Sequence, residues 1–177
     1  APYATSTPTL PMAQWEELVR KLVNDGYTVV TNTIDFETQP PIKGSTGLSF
    51  SYGDAKLFLE HAGYFVGIRS GLCDIISSLK CKKLILYSYE SIGSMWISAD
   101  GKVLRYFGLR NNNLCNENIF ELEYTQDIIE KLPNTIYEYI IADNKKGNDI
   151  INSYNADFKL IVDGDVSTIP YAFDGFK

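Results

Sequence analysis

The stretch GYFVGIRSGLCDII, residues 63–76, ends an apolar run on an arginine, a serine and a glycine and then places Asp74 just beyond. Side chains of these types can hold an anion. The Arg69 guanidinium forks onto phosphate oxygens, the Ser70 hydroxyl donates a further hydrogen bond, and Gly71 lets the backbone come close. A helix starting here would turn its free N–H groups toward the same point. A structural reading uses the same residues. Ser70 then caps the helix, Gly71 turns the chain, and Asp74 sits in the first helical turn as a partner of Arg69, where its charge suits the dipole. Local sequence leaves both readings open.

Other polar residues are candidates by type. The opening APYATST offers the hydroxyls of Tyr3, Thr5 and Ser6 either to a ligand or to water. KGSTGLSF, residues 43–50, carries Lys43, Gly44, Thr46, Leu48 and Ser49 but lacks the spacing and the terminal Lys-Ser/Thr of a Walker motif. His61 is the sole histidine and reads as a helix-end or partly buried structural residue, because no Ser-His-Asp order accompanies it. Cys73, Cys81 and Cys115 form no CxxC pair and are odd in number, which suits buried thiols in a reducing compartment better than a disulfide framework. One histidine and three scattered cysteines do not compose a zinc site. Asp163-Gly164-Asp165 reads as a turn, and Glu117, Glu121 and Glu123 lack the ordered oxygen pattern of a calcium loop and read as solvated surface.

These residues need elements to position them. Residues 12–25 place Trp15, Leu18, Val19 and Leu22 at intervals of three and four, which predicts a helix with one buried stripe, Pro11 in its first turn and Gly26 at its end. YTVVTN, residues 27–32, predicts a short buried strand. The Pro- and Gly-rich segment after it is mainly loop, with a brief strand near residues 48–50. A second helix over residues 52–61, the strand YFVGI, a short helix over 72–79 and the strand KLILY at 83–87 complete a repeated strand-helix-strand rhythm. Beyond residue 88 the pattern weakens. A hairpin turning at Asp100-Gly101, with Trp96 on one of its strands, a loop over NNNLCNEN, helical spacing interrupted by Pro133 and an irregular carboxyl-terminal arm are expected there. The expected organisation is one α/β domain, with a Rossmann-like core over 1–88 and an atypical extension over 89–177 that completes or decorates it.

Charge narrows the function. Residues 1–88 carry eight acids and eight bases, whereas residues 89–177 carry fourteen acids and eight bases. Neither half offers the basic stripe that a nucleic-acid backbone requires. A small phosphate ligand needs only an arginine and a helix end, so it survives this test. No run reaches the length of a transmembrane span and no signal peptide is visible, so the cytoplasm is the expected compartment. The chain opens on APYA without an initiator methionine, the form expected of a processed or truncated product.

APYATSTPTLPMAQWEELVRKLVNDGYTVVTN and GYFVGIRSGLCDIISSLKCKKLILYS together resemble the carboxyl-terminal, donor-binding half of bacterial glycosyltransferases of the GT-B fold. The likeness is to uncharacterised polysaccharide-biosynthesis proteins and, more distantly, to lipopolysaccharide heptosyltransferases, and it covers residues 1–88. It implies a Rossmann-like parallel sheet with flanking helices, in which a Ser-Gly loop leads into a helix beside the donor phosphates. Ser70 and Gly71 occupy those positions, and Arg69, Leu72, Cys73 and Asp74 match the uncharacterised relatives. Tyr3, Thr5 and Ser6 fall where the family's first strand meets the donor cleft, and Lys43, Thr46, Leu48 and Ser49 fall in the loop that helps hold the nucleoside.

The implied function is binding of a nucleotide-diphosphate sugar as substrate, without a tightly bound cofactor, in polysaccharide or cell-surface glycan synthesis. Arg69 would stabilise the leaving phosphate. The acceptor and the catalytic base would come from an amino-terminal domain that this chain lacks, so the isolated polypeptide is expected to be inactive. In the intact system it would work in the cytoplasm or peripherally at the inner face of the membrane. The alternative is a non-catalytic interaction or oligomerisation domain on the same fold, with a second copy as partner. A flavin or dinucleotide module has only the general fold in its favour, because the glycine fingerprint is missing.

Overall fold

The computed structural model describes residues 9–88, 108–110, 112, 114 and 118–142. Helix α1 spans Met12–Asn24 and buries Trp15, Leu18, Val19 and Leu22, the stripe that its spacing predicts. Pro11 occupies the N-cap rather than the first turn, where its missing N–H removes no helical bond. Gly26 has φ +85°, a conformation that suits glycine, and the Tyr27 N–H returns to the Leu22 carbonyl at 3.0 Å to close the helix.

Strands β1, Val30–Asn32, and β2, Thr46–Leu48, form a two-stranded parallel sheet with Val30 opposite Thr46 and Asn32 opposite Leu48. The strand expected over 27–32 is therefore shorter, and the brief strand expected at 48–50 lies slightly earlier. The loop between them is tied inward by Thr33, whose hydroxyl donates to the Gln39 carbonyl at 2.5 Å. Its turn is held by Asp35, which accepts the Glu37 N–H at 2.9 Å and the Thr38 hydroxyl at 2.8 Å. Those bonds hold the Asp35 carboxyl below its ordinary value, the Glu37 N–H first. Gly47 passes beneath this loop, where a Cβ would fall 2.4 Å from the Phe36 ring and 2.6 Å from the Pro41 ring.

Helix α2, Tyr52–His61, starts at Ser51, whose hydroxyl oxygen accepts the Asp54 N–H at 3.2 Å. Strand β3, Tyr64–Ile68, then leads into the short helix α3, Gly71–Ile76, and the chain returns as β4, Lys82–Ser88. Strand β5, Ile119–Tyr124, follows, and a 3₁₀ turn over Gln126–Lys131 runs into helix α4, Leu132–Ile141. Pro133 does not interrupt this helix. It lies in the first turn, where proline is tolerated.

Strands β3, β4 and β5 form a parallel sheet with β4 in the centre, and every residue of β4 is buried, as expected of a strand covered on both faces. Val66, Ile68, Leu84, Leu86 and Leu122 pack with α1 and α4 on one face. On the other, Ile85, Tyr87 and Ile119 pack with Cys73 of α3 and with Leu109. The result is an α/β arrangement of two small parallel sheets with flanking helices, compatible with a Rossmann-like fold. Residue 88 is the last of β4, which pairs with β5 from beyond it, and residues on both sides of it build the main core. The fully buried amine of Lys83 donates to the carbonyls of Leu79 at 2.5 Å and Cys81 at 2.7 Å. Among the described residues no helix is long and apolar enough to cross a membrane. The hairpin expected at Asp100-Gly101, Trp96 and the carboxyl-terminal arm lie outside the described residues.

Candidate anion site at the end of the third strand

Arg69, Ser70 and Gly71 form a hinge at the carboxyl end of β3, as the apolar run before them requires. The Arg69 N–H continues the strand ladder by donating to the Leu86 carbonyl at 3.1 Å. Its guanidinium folds forward onto Asp74, with Nη2 donating to Oδ1 at 2.7 Å and Nη1 to Oδ2 at 3.2 Å. Nη1 also donates to the Ser70 carbonyl at 2.6 Å. Arg69 and Asp74 are thus a bidentate pair, with the arginine side chain 17% and the aspartate side chain 41% exposed. Half-exposed pairs of this kind contribute little to stability because solvent screens them.

Ser70 is exposed and extended, with φ −155° and ψ 171°, and its hydroxyl caps no N–H of α3. Its oxygen lies 3.8 Å from the Cys73 sulfur instead. A Cβ added to Gly71 would meet nothing within 4 Å, so the fold itself does not demand glycine there. Cys73 is fully buried, and burial pushes its thiol up against the opposing effect of Ser70. A thiol held protonated and out of solvent is a core residue rather than a nucleophile. Leu72 packs into the small core that α2 and α3 share with Leu79.

A second polar cluster stands beside the hinge. The Tyr87 hydroxyl donates to Glu121 Oε1 at 2.5 Å, and the N–H groups of Leu109 and Arg110 donate to Oε1 at 2.6 Å and Oε2 at 3.2 Å. Glu121 is 8% exposed and Glu123 4%, so the solvated-surface reading of these two acids is corrected. The reason is the register: Glu121 lies opposite Ile85 in the sheet, next to a covered central strand. Burial, followed by the charge of Glu121, drives the Tyr87 phenol far above its ordinary value, while Arg69 acts in the opposite direction. Glu121 therefore serves as an anchor that fastens residues 109–110 to the sheet edge. Its signal in sequence is IFELEY itself, where acids at period two in an apolar run mark a strand with dedicated partners.

No family model, curated protein or solved structure matches this chain. Its chemistry rests on its own geometry. Arg69, Ser70 and Asp74 are brought into direct contact at the end of β3. Lys43, Gly44, Thr46, Leu48 and Ser49 belong to the other sheet: Thr46 and Leu48 are β2 residues, and Lys43 and Ser49 are exposed on either side. Gly44 has φ +91° against the side chain of Val19, so glycine there serves the turn. His61 is the exposed last residue of α2, not partly buried. Tyr3, Thr5, Ser6, Cys115, Glu117 and the Asp163-Gly164-Asp165 turn lie outside the described residues.

Proposed function

We propose that the hinge at the end of β3 binds the diphosphate of a nucleotide sugar, and that the chain is the donor-binding module of a glycosyltransferase in polysaccharide or cell-surface glycan synthesis. The observation that carries this reading is the placement of Arg69, an exposed Ser70 hydroxyl that caps no N–H of α3 and open space over Gly71 at the carboxyl end of a parallel strand, where ligands of open α/β sheets bind. The diphosphate would displace the Asp74 carboxylate from the Arg69 fork and accept a hydrogen bond from Ser70. Arg69 would then oppose the negative charge that grows as the sugar departs. Acceptor and base would come from another domain, and the module would act in the cytoplasm at or near the inner face of a membrane.

Calorimetric titration with UDP and with GDP tests this. Arg69→Ala should weaken binding by about 10- to 100-fold, the range of a lost charge-assisted hydrogen bond. The control is Arg20→Ala, at an exposed arginine of α1, which should leave binding unchanged. Equal losses in both variants, or no binding by folded protein, would remove the reading. A second reading, an interaction or oligomerisation domain on the same fold, is favoured by the Arg69–Asp74 pair itself, since an internal carboxylate already fills the fork.

A further inference from the structure

Arg110 is a second arginine whose backbone the fold holds in place. The Gly108 carbonyl accepts the Asn112 N–H at 3.2 Å and the Asn112 side-chain amide at 2.8 Å, and the Leu109 carbonyl accepts the Leu114 N–H at 2.9 Å. These bonds close a turn on itself, with Arg110 between its ends. The Glu121 carboxylate ties the turn to the sheet by accepting the Leu109 N–H at 2.6 Å and the Arg110 N–H at 3.2 Å. Leu109 is fully buried beside this tie, whereas Arg110 is exposed. Burying a carboxylate to hold a turn is costly, since a well-packed apolar contact would hold it without desolvating a charge. What the carboxylate adds is direction: two N–H groups fixed on it set the orientation in which Arg110 leaves the turn.

The surroundings of the turn relate it to the hinge. Leu109 belongs to the core cluster of Cys73, Ile85, Tyr87 and Ile119, so it lies on the α3 face of the sheet. Cys73 in turn touches the hinge, its sulfur 3.8 Å from the Ser70 hydroxyl and 3.6 Å from the Ile68 carbonyl. From the strand side, the Tyr87 hydroxyl accepts the Leu109 N–H at 3.3 Å, and the charge of Arg69 acts on that same hydroxyl. Arg69 and Arg110 therefore stand to either side of Tyr87, one attached to β3 and the other to β5. Among the described residues the Arg110 guanidinium joins no ion pair. The other described lysines around this sheet are elsewhere. Lys80, Lys82 and Lys83 stand at the start of β4, the end opposite the hinge, and Lys131 leads into α4, which packs on the other face.

We propose that Arg110 is a second phosphate-binding residue of the hinge: Arg69 takes one phosphate of the diphosphate, Arg110 takes the other, and Glu121 is the positioning residue that presents Arg110. The proposal rests on the reading of the hinge as a diphosphate site and adds to it a reason for two phosphates rather than one. A diphosphate brings two ionised groups, whereas the hinge alone offers one arginine that Asp74 already neutralises. One guanidinium forks onto one phosphate. A second arginine on a closed turn meets the other phosphate with its backbone already ordered, which lowers the cost of binding. The ligand class narrows accordingly to nucleoside diphosphates and their sugars, in preference to nucleoside monophosphates.

Calorimetric titration of the full chain with UDP and with UMP tests this. The unsubstituted protein should bind UDP about tenfold more tightly than UMP, the worth of one charge-assisted contact. Arg110→Ala should erase that margin while leaving UMP affinity and the thermal midpoint as they were, because the side chain is exposed. Arg110→Lys should restore part of the margin. Glu121→Gln keeps the shape of the side chain but turns one acceptor into a donor against the turn, and should lower UDP affinity with UMP affinity unchanged, a split that lost stability alone would not produce. Arg69→Ala should weaken both nucleotides. A margin for UDP that survives Arg110→Ala overturns the proposal and leaves the Arg69 site standing. Equal binding of UDP and UMP by the unsubstituted protein, or equal loss of both in Arg110→Ala, overturns it as well. Binding of neither nucleotide by folded protein overturns it together with the reading on which it rests.

Discussion

Arg69 with Asp74 and Tyr87 with Glu121 stand at the ends of neighbouring strands of one sheet, yet they are built for different work. The first pair is partly exposed and joins residues five apart. The second is buried, joins strands β4 and β5, and has both carboxylate oxygens engaged by a phenol and two backbone N–H groups. Adjacency at a sheet edge therefore does not make a single site. Solvent access and the number of committed hydrogen bonds separate the replaceable contact from the fixed one.

Substitutions sharpen this contrast. Glu121→Ala strands the Tyr87 hydroxyl and the N–H groups of Leu109 and Arg110, and should cost about 3 kcal/mol in a denaturant melt. A loss no greater than that of Asp74→Ala would erase the distinction. Tyr87→Phe removes one member and should cost about 1 kcal/mol at neutral pH. Its pH profile carries more information. The folded protein holds the Tyr87 proton above the ordinary tyrosine value of 10.0, so the unfolded chain releases a proton first and stability falls as pH rises past that value. In Tyr87→Phe this part of the alkaline loss should vanish, and an unchanged alkaline limb would mean that the phenol is not buried as described. Asp74→Asn should change stability least, by less than about 1 kcal/mol. It should still tighten UDP binding severalfold by freeing the Arg69 fork, and weaker binding would instead make Asp74 part of the site.

Much of the frame is legible in the sequence because it rests on local periodicity. The four buried residues of α1, the strand ending at Ile68 and the buried β4 each follow from spacing within one segment. The structure departs from expectation where the deciding partner is remote. Strand β5 was obscured by two glutamates, and the tyrosine that makes Glu121 tolerable lies 34 residues earlier. The Arg69–Asp74 pair was visible as one of two uses of the same residues, and geometry shows the fork occupied by the carboxylate five positions on. The separation between the sheets left no local trace, since β1 and β3 each look like ordinary buried strands in sequence.

Gly47 gives the smaller sheet a property that hydrogen bonding alone cannot. With the Phe36 ring and Pro41 pressed where its Cβ would be, the groove under the loop is a gauge that admits one residue of β2 and rejects both neighbours. Sliding β2 by one position would drive Thr46 or Leu48 into that groove. A ladder of three residues, too short to select its own alignment by pairing energy, is thereby keyed by shape.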